Sequence, residues 1–595
     1  MDFEQKHNKT KGFTKSKYIR RFFRKYSLNY ILGIIALLIV DIAQTRVPII
    51  VGGVIDGIEQ QNIELPSIKT AIVWLFVIAG IMYAGRLIWR YFIFGTSRSI
   101  ERDIRDEMFS HLEKMSAKYY QKHGPGEVMA YMTNDLEAIR QALAQGILTL
   151  FDVIALGTIT LYNMVTRIDP LLTLAAVIPL MLIAVTVRFS GKEMFNRFTE
   201  KQEAFTTLSD FVQEDLSGIK VIKSFVQEDN FISAFEKENK NNYEKNIKLM
   251  RLQSLMHPFM QLISGLALAV TICYGGYLTI ISSISLGDFT AFIAYLGMLV
   301  WPMIAIGIMI NIFSRGAASL SRVEDILDEP VEIKDDEDTV NIDNIEGNIK
   351  FDNLNYKYPD TDNHILQNIS FEIKKGQTLG IIGRTGSGKT TLVNLLLRIF
   401  DPKEGSIYID RTDILNIPLK LLRKSIGYVP QDNFLFSDTI ASNIDFGVRN
   451  SDMDKIHAAA QQAVVHDNIA EFKDGYDTVI GERGVSLSGG QKQRISIARA
   501  LIKEPEILIL DDSVSAVDTD TEEKILHYLK ELRSNKTNII IAHRISTIQD
   551  SDLIIVLDEG KITEAGTHEE LLKNQGLYHS IYEKQLLEKM LNEQD

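Results

Sequence analysis

The sequence predicts a multidomain chain: an all-α, six-helix transmembrane domain followed by an α/β domain with a largely parallel sheet built around a phosphate loop. Three observations carry this. Six long apolar stretches lie before residue 315. From about residue 348, short β-branched runs alternate with helical segments, the pattern of an α/β domain. Finally, GRTGSGKTT, Gly383 to Thr391, stands between the strand-like TLGII and the helix-like TLVNLLLRI. At 595 residues the chain exceeds one domain, and its net charge of −13 excludes a general nucleic-acid binder, which needs a basic surface.

The first element, residues 1–27, is polar and basic, with no cleavable signal peptide in view. Within it Tyr18, Ile19, Phe22 and Phe23 alternate with Arg20, Arg21, Arg24 and Lys25, which predicts a short amphipathic helix lying on the membrane surface. The membrane domain is placed at 28–325, with spans near 30–55, 70–94, 143–165, 170–189, 258–281 and 289–312. The connections 57–68 and 282–288 contain no Lys or Arg, whereas 98–140 carries Arg98, Arg102, Arg105, Lys114, Lys118, Lys122 and Arg140, and 192–251 is rich in lysine. Basic connections stay in the cytoplasm, so a multi-pass protein of the cell membrane with both chain ends cytosolic is expected. The two basic connections read as helices, broken at Gly124-Pro125-Gly126, that reach the soluble domain and transmit movement or serve as scaffold.

Two residues inside the spans invite comment. Cys273, the sole cysteine, sits in an apolar run and is expected to be a small buried hydrophobe, with no internal disulfide possible. Asp41 lies well inside the first span, where a carboxylate is costly. It is a candidate for selecting cationic substrates, the alternative being a structural pairing with Arg46 or Gln44. An acidic segment, 326–347, reads as a mobile tether to the last domain, 348–595.

In that domain the glycines of GRTGSGKTT (Gly383, Arg384, Thr385, Gly386, Ser387, Gly388, Lys389, Thr390, Thr391) let backbone amides wrap phosphates. Lys389 reaches the outer phosphates and Thr390 meets Mg²⁺. In LSGGQ, residues Leu487, Ser488, Gly489, Gly490 and Gln491, Ser488 can cap a helix and Gln491 can close a capping box, presenting a positive helix end to an anion. ILILDD places Asp511 at the end of a buried strand as the Mg²⁺-side carboxylate, and IIIAHRIS places His543 at another strand end.

Together these motifs, with YVPQD and SAVD in the same order, make the whole chain resemble a half-transporter of the ATP-binding cassette (ABC) exporter family. The resemblance implies ATP and Mg²⁺ as cofactors, and a second half-transporter as obligatory partner, because LSGGQ serves the nucleotide on the other subunit. It also implies that Tyr358 stacks on adenine, Gln431 senses Mg²⁺ or water, Asp518 lies across the dimer interface and His543 contacts the γ-phosphate. That family's usual glutamate after the strand acid is Asp512 here, beside an intact LSGGQ. This mixture resembles the degenerate-site subunit of a heterodimeric bacterial multidrug exporter, working on amphiphilic compounds among membrane lipids. A homodimeric lipid or peptide exporter is the alternative, and an ATP-gated channel fits the same motifs. DNA-repair ATPases with LSGGQ should lack six spans.

Overall fold

The computed structural model describes residues 16–592 apart from 62–63, 337, 341, 359–360, 362, 482–486 and 515–516. Residues 1–15 of the predicted N-terminal segment, and Ser515 and Ala516 of SAVD, therefore lie outside the described residues. The chain divides into two compact units, one of residues 1–113 and 124–329, the other of 114–123 and 330–595.

The first unit is helical. Among the described residues five helices are long and apolar enough to cross a membrane: Ser27–Glu59, Leu65–Leu112, Pro125–Ile168, Glu228–Ile280 and Leu286–Asp328. The sixth expected span opens the helix Pro170–Ser217, where the apolar stretch is the shorter Pro170–Ile183. Leu65–Leu112 and Pro170–Ser217 each run for 48 residues, about 72 Å at ~1.5 Å per residue. The hydrocarbon layer takes up only about 30 Å, so both helices continue far beyond it, as the lysine-rich connections predicted. Buried Phe292, Tyr295, Leu296 and Leu299 of the last helix pack with Leu172, Ala176 and Leu180 in one cluster. Leu32, Ile39, Trp74, Phe76 and Leu174 remain exposed, the apolar exterior that lipid requires.

Three expectations are corrected here. The amphipathic helix forms, at Lys17–Lys25 with Ser16 as its cap, but its apolar residues Ile19 and Phe22 are buried in protein. Its basic side meets acids of two other helices. Lys17 and Tyr18 donate to Asp328 at 2.6 and 2.9 Å, Lys25 and Tyr26 donate to Asp103 at 2.6 and 2.9 Å, and Arg21 pairs with Glu107. Amphipathicity alone does not distinguish lipid from protein as the apolar partner. Cys273 is exposed rather than buried, since an apolar run inside a membrane need not turn inward.

The acidic tether is also not free. Glu332 pairs with Lys118 at 2.8 Å and accepts from Ser116 at 3.0 Å, Asp335 accepts from the Leu419 amide at 2.8 Å, and Ile345 is buried in a core. Its carboxylates find cationic and amide partners that charge density could not reveal. The short helix Ala117–Lys122, which precedes the Gly124-Pro125 break, belongs to the same unit, and Ala117 packs on that core.

The second unit holds two sheets. An antiparallel sheet has the order β2-β1-β4-β5, from β1 (Ile349–Tyr356), β2 (Leu366–Ile373), β4 (Ile407–Ile409) and β5 (Thr412–Asp413). The main sheet has the order β10-β9-β3-β8-β7-β6. Its strands are β3 (Thr378–Gly383), β6 (Ile426–Val429), β7 (Ile507–Asp511), β8 (Thr537–Ile541), β9 (Leu553–Asp558) and β10 (Lys561–Gly566). All neighbours are parallel except β9 and β10. Every residue of β7 and β8 is buried, because helices and the second sheet cover both faces. Alternation divides them: Leu508 and Leu510 enter one core, Ile507 and Ile509 the other.

Candidate functional site

The order β3-β8-β7-β6 sets four parallel strand ends side by side, and each carries a predicted residue. Gly383 ends β3, His543 follows β8, Asp511 ends β7, and Gln431 follows β6. Carboxyl ends of parallel strands are where an open α/β sheet binds its ligand.

The loop after β3 turns through Gly386 and Gly388, whose φ angles are +84° and +100°, so that the helix Lys389–Leu396 starts from a left-handed residue. Gly383 is required for a different reason. A Cβ there would collide with the Leu557 carbonyl of β9 and stand 2.9 Å from Ser387 Oγ. Lys389 is buried, and its Nζ donates to the carbonyls of Gly383 (2.9 Å) and Arg384 (3.0 Å). Burial lowers its pKa, opposed by the charges of Asp511 and Asp512. Arg384, Thr385, Gly386 and Thr390 are exposed along the rim. Tyr358 shares a hydrogen bond with Thr391 Oγ1 at 3.1 Å, its ring edge-on to Tyr356 and Phe400 at 5.3 and 5.2 Å.

Asp511 is 2% exposed and shares a hydrogen bond with Thr390. Burial is the first cause of its raised pKa. Asp512 pushes in the same direction, while Thr390, Lys389 and His543 pull it down. Asp511 Oδ2, Ser387 Oγ and Ser513 Oγ are buried without a hydrogen-bond partner. An unsatisfied buried carboxylate oxygen costs free energy that a bound cation offsets. The donor set of carboxylate, hydroxyl and desolvated ammonium around a glycine loop thus fits a magnesium–nucleotide ligand.

Asp512 adopts a left-handed backbone, φ +48°, which aspartate tolerates better than most residues. Its N–H donates to the Ile541 carbonyl of β8 at 2.9 Å, and its carbonyl accepts from Gln493 Nε2 at 3.3 Å. Gln493 is a site residue that sequence reading missed. It stands two places after LSGGQ on the helix Gly489–Leu501, and its partner lies 19 positions away.

LSGGQ begins that helix as expected. Ser488 Oγ accepts from the Gln491 amide at 3.2 Å and Gln491 Oε1 accepts from the Ser488 amide at 3.0 Å, a complete capping box, with Leu487 buried behind it. Gly489 and Gly490 form the first turn. Asp518 caps the helix Thr519–Leu532 by accepting from the Thr521 amide at 3.0 Å, hydrogen bonds from the Thr521 hydroxyl and amide lower its pKa, and it feels the charge of Arg494. The structure therefore groups Lys389, Thr390, Asp511, Asp512 and His543 in one cluster, and the LSGGQ helix, near Asp518 through Arg494, touches that cluster through Gln493.

Asp41 is 2% exposed, inside the helical unit, with Oδ2 lacking a hydrogen-bond partner. The charges acting on it are those of Asp152 and Arg86.

Membrane-length helices joined to a phosphate-loop domain with these strand ends define an ATP-driven membrane transporter. Residues 30–303 match the family described as "ABC transporter transmembrane region", and residues 366–515 match "ABC transporter". The chain is 40% identical over 575 residues to the "Probable multidrug resistance ABC transporter ATP-binding/permease protein YheI" of Bacillus subtilis, covering 97% of this chain and 98% of that protein. It is 39% identical over 581 residues to the "Multidrug resistance-like ATP-binding protein MdlA" of Escherichia coli, covering 97% of each. An "ATP-dependent lipid A-core flippase" of Syntrophus aciditrophicus is 33% identical over 97% of this chain and 96% of its own length. Among solved structures, that titled "Structure of a bacterial Atm1-family ABC exporter with ATP bound" superposes with a TM-score of 0.78 and 28% identity, over 95% of this chain and 98% of the other. The chain belongs to the ABC transporter family, as an exporter with a helical membrane domain fused to an ATP-binding domain. It is an ATP hydrolase coupled to transport.

Proposed function

We propose that this chain is one half of an ATP-driven exporter of amphiphilic, drug-like compounds, paired with a different half-transporter, and that its own nucleotide site turns over slowly. The observation that carries the proposal is Asp512. It occupies the position of the general base beside a complete phosphate loop, and its backbone is pinned on both sides. Two full-length relatives named for multidrug resistance support the substrate class.

Lys389 holds the outer phosphates, the Gly386–Gly388 amides wrap them, and Tyr358 lies against the adenine. Thr390 and Asp511, with Gln431, would hold Mg²⁺, which when bound would neutralise charge on the outer phosphates. Asp512 takes the role of accepting a proton from the attacking water, one methylene short of the usual reach, and His543 that of contacting the γ-phosphate. Ser488 to Gln491 present a capped, positive helix end to the nucleotide on the partner, with Asp518 at the junction. The nucleotide domain and the N-terminal segment face the cytosol of the cell membrane. The lipid flippase relative favours a second reading, a homodimeric lipid exporter. Inside-out vesicles carrying this chain and its partner should accumulate an amphiphilic dye above its external concentration when ATP is added. Equilibration without accumulation refutes a pump.

A further inference from the structure

The chain beside His543 is held from the far end of the sequence. Gln585, on the helix Leu577–Asn592, donates from Nε2 to the His543 carbonyl at 2.7 Å and accepts at Oε1 from the Ile545 amide at 2.9 Å. One amide thus brackets His543 and Arg544, and the opposite demands of a carbonyl and an N–H fix which way it points. The platform is firm. Tyr578 is fully buried with its hydroxyl 2.7 Å from His568 Nδ1, Leu577 donates its amide to Glu564 at 2.5 Å, and Ile581 and Tyr582 pack on the core.

The segment is tied from the other side as well. Ala542 donates its amide to Ile381 of β3 at 3.1 Å. Glu522, 3% exposed on the helix that Asp518 caps, accepts from Thr547 and, at 3.4 Å, from Arg544. His543 itself presents an exposed side chain between these anchors. Its imidazole can then swing about its own side-chain bonds, while the backbone on either side of it is tied to partners outside the phosphate loop.

We propose that Gln585 is a positioning residue for ATP hydrolysis, acting through the backbone of His543. The inference rests on the reading above that His543 meets the γ-phosphate. A group that acts on a reacting phosphate must be held within roughly 0.5 Å, and supporting hydrogen bonds supply that precision.

The test is a double-substitution cycle in the purified full transporter, with Asp512→Glu installed and the partner's equivalent glutamate replaced by Gln, so that the turnover read is that of this chain's own site. Gln585→Ala should lower kcat roughly 2–10-fold, the worth of one hydrogen bond, with KM for ATP unchanged and Tm lowered only as far as the lost bonds require. Gln585→Glu, which keeps the acceptor for Ile545 but turns an oxygen toward the His543 carbonyl, should lose as much. In a His543→Ala background neither variant should cost anything further. An equal loss with and without His543, a change in KM or Tm with kcat intact, or full activity of both variants overturns the proposal. If His543→Ala alone leaves turnover unchanged, the role assigned to His543 fails first, and the inference with it.

Discussion

Replacing Lys389 with alanine removes a buried ammonium that faces Asp511 and Asp512 in the phosphate loop. Its Nζ already sits on the Gly383 and Arg384 carbonyls at 2.9 and 3.0 Å, so little rearrangement separates it from a phosphate oxygen. Burial has removed most of the water that would otherwise screen it, and charge-assisted hydrogen bonds in such surroundings are worth about 1.5–3 kcal/mol each. With one such bond lost, ATP binding at this chain should weaken by roughly 10- to 150-fold, taking about 1.4 kcal/mol per factor of ten. The fold should survive, because the ammonium's present partners are only the carbonyls of Gly383 and Arg384 at the start of the loop itself. The assay is photolabelling by an azido-ATP probe, read on this chain, over a titration of ATP. Labelling of Lys389→Ala at the wild-type midpoint refutes the assignment.

Ser488→Ala should cost about 1 kcal/mol of stability through the lost cap, visible as a lower Tm. Its loss of ATPase should exceed what that destabilisation explains, whereas proportionate losses would make the cap purely structural. Asp511 has a raised pKa, so protons compete with Mg²⁺ from a higher pH than at an ordinary aspartate. By linkage, its contribution to folding stability is largest at low pH and declines as pH rises from the unfolded value through the folded one. The Mg²⁺ concentration for half-maximal ATP binding should therefore climb as pH falls through Asp511's range, and Asp511→Asn should flatten that dependence. A wild-type titration flat in pH counts against it. Asp41→Asn should weaken efflux of cationic compounds more than neutral ones, and equal loss for both assigns Asp41 a structural role beside Asp152 and Arg86.

What the sequence revealed was local. The strands β7 and β8 read as continuous apolar runs because both their faces are covered. The capping box of Ser488 and Gln491 spans three residues and needs no tertiary knowledge. Gln493, Glu522 and Gln585 were illegible because each owes its meaning to a partner 19 to 42 positions away. The helix Lys17–Lys25 was legible as a helix but not in its partner, since its acids arrive from residues 103–107 and 328. The same holds for Glu332 and Asp335, acidic in sequence and tethered in the fold.

The central claim is that Asp512 is a weak base whose site holds ATP while a partner's site turns over. Its amide is fixed to Ile541 and its carbonyl to Gln493, so the backbone cannot advance to make up the missing methylene. A displacement of ~1 Å can cost on the order of 10²-fold in rate. The direct measurement compares ATPase rates of Asp512→Asn and of the partner's equivalent Glu→Gln in the same purified complex. Asp512→Asn should keep most of the wild-type rate, and the partner's substitution should abolish it. If Asp512→Asn alone stops turnover, Asp512 is a working base and the asymmetric account is wrong.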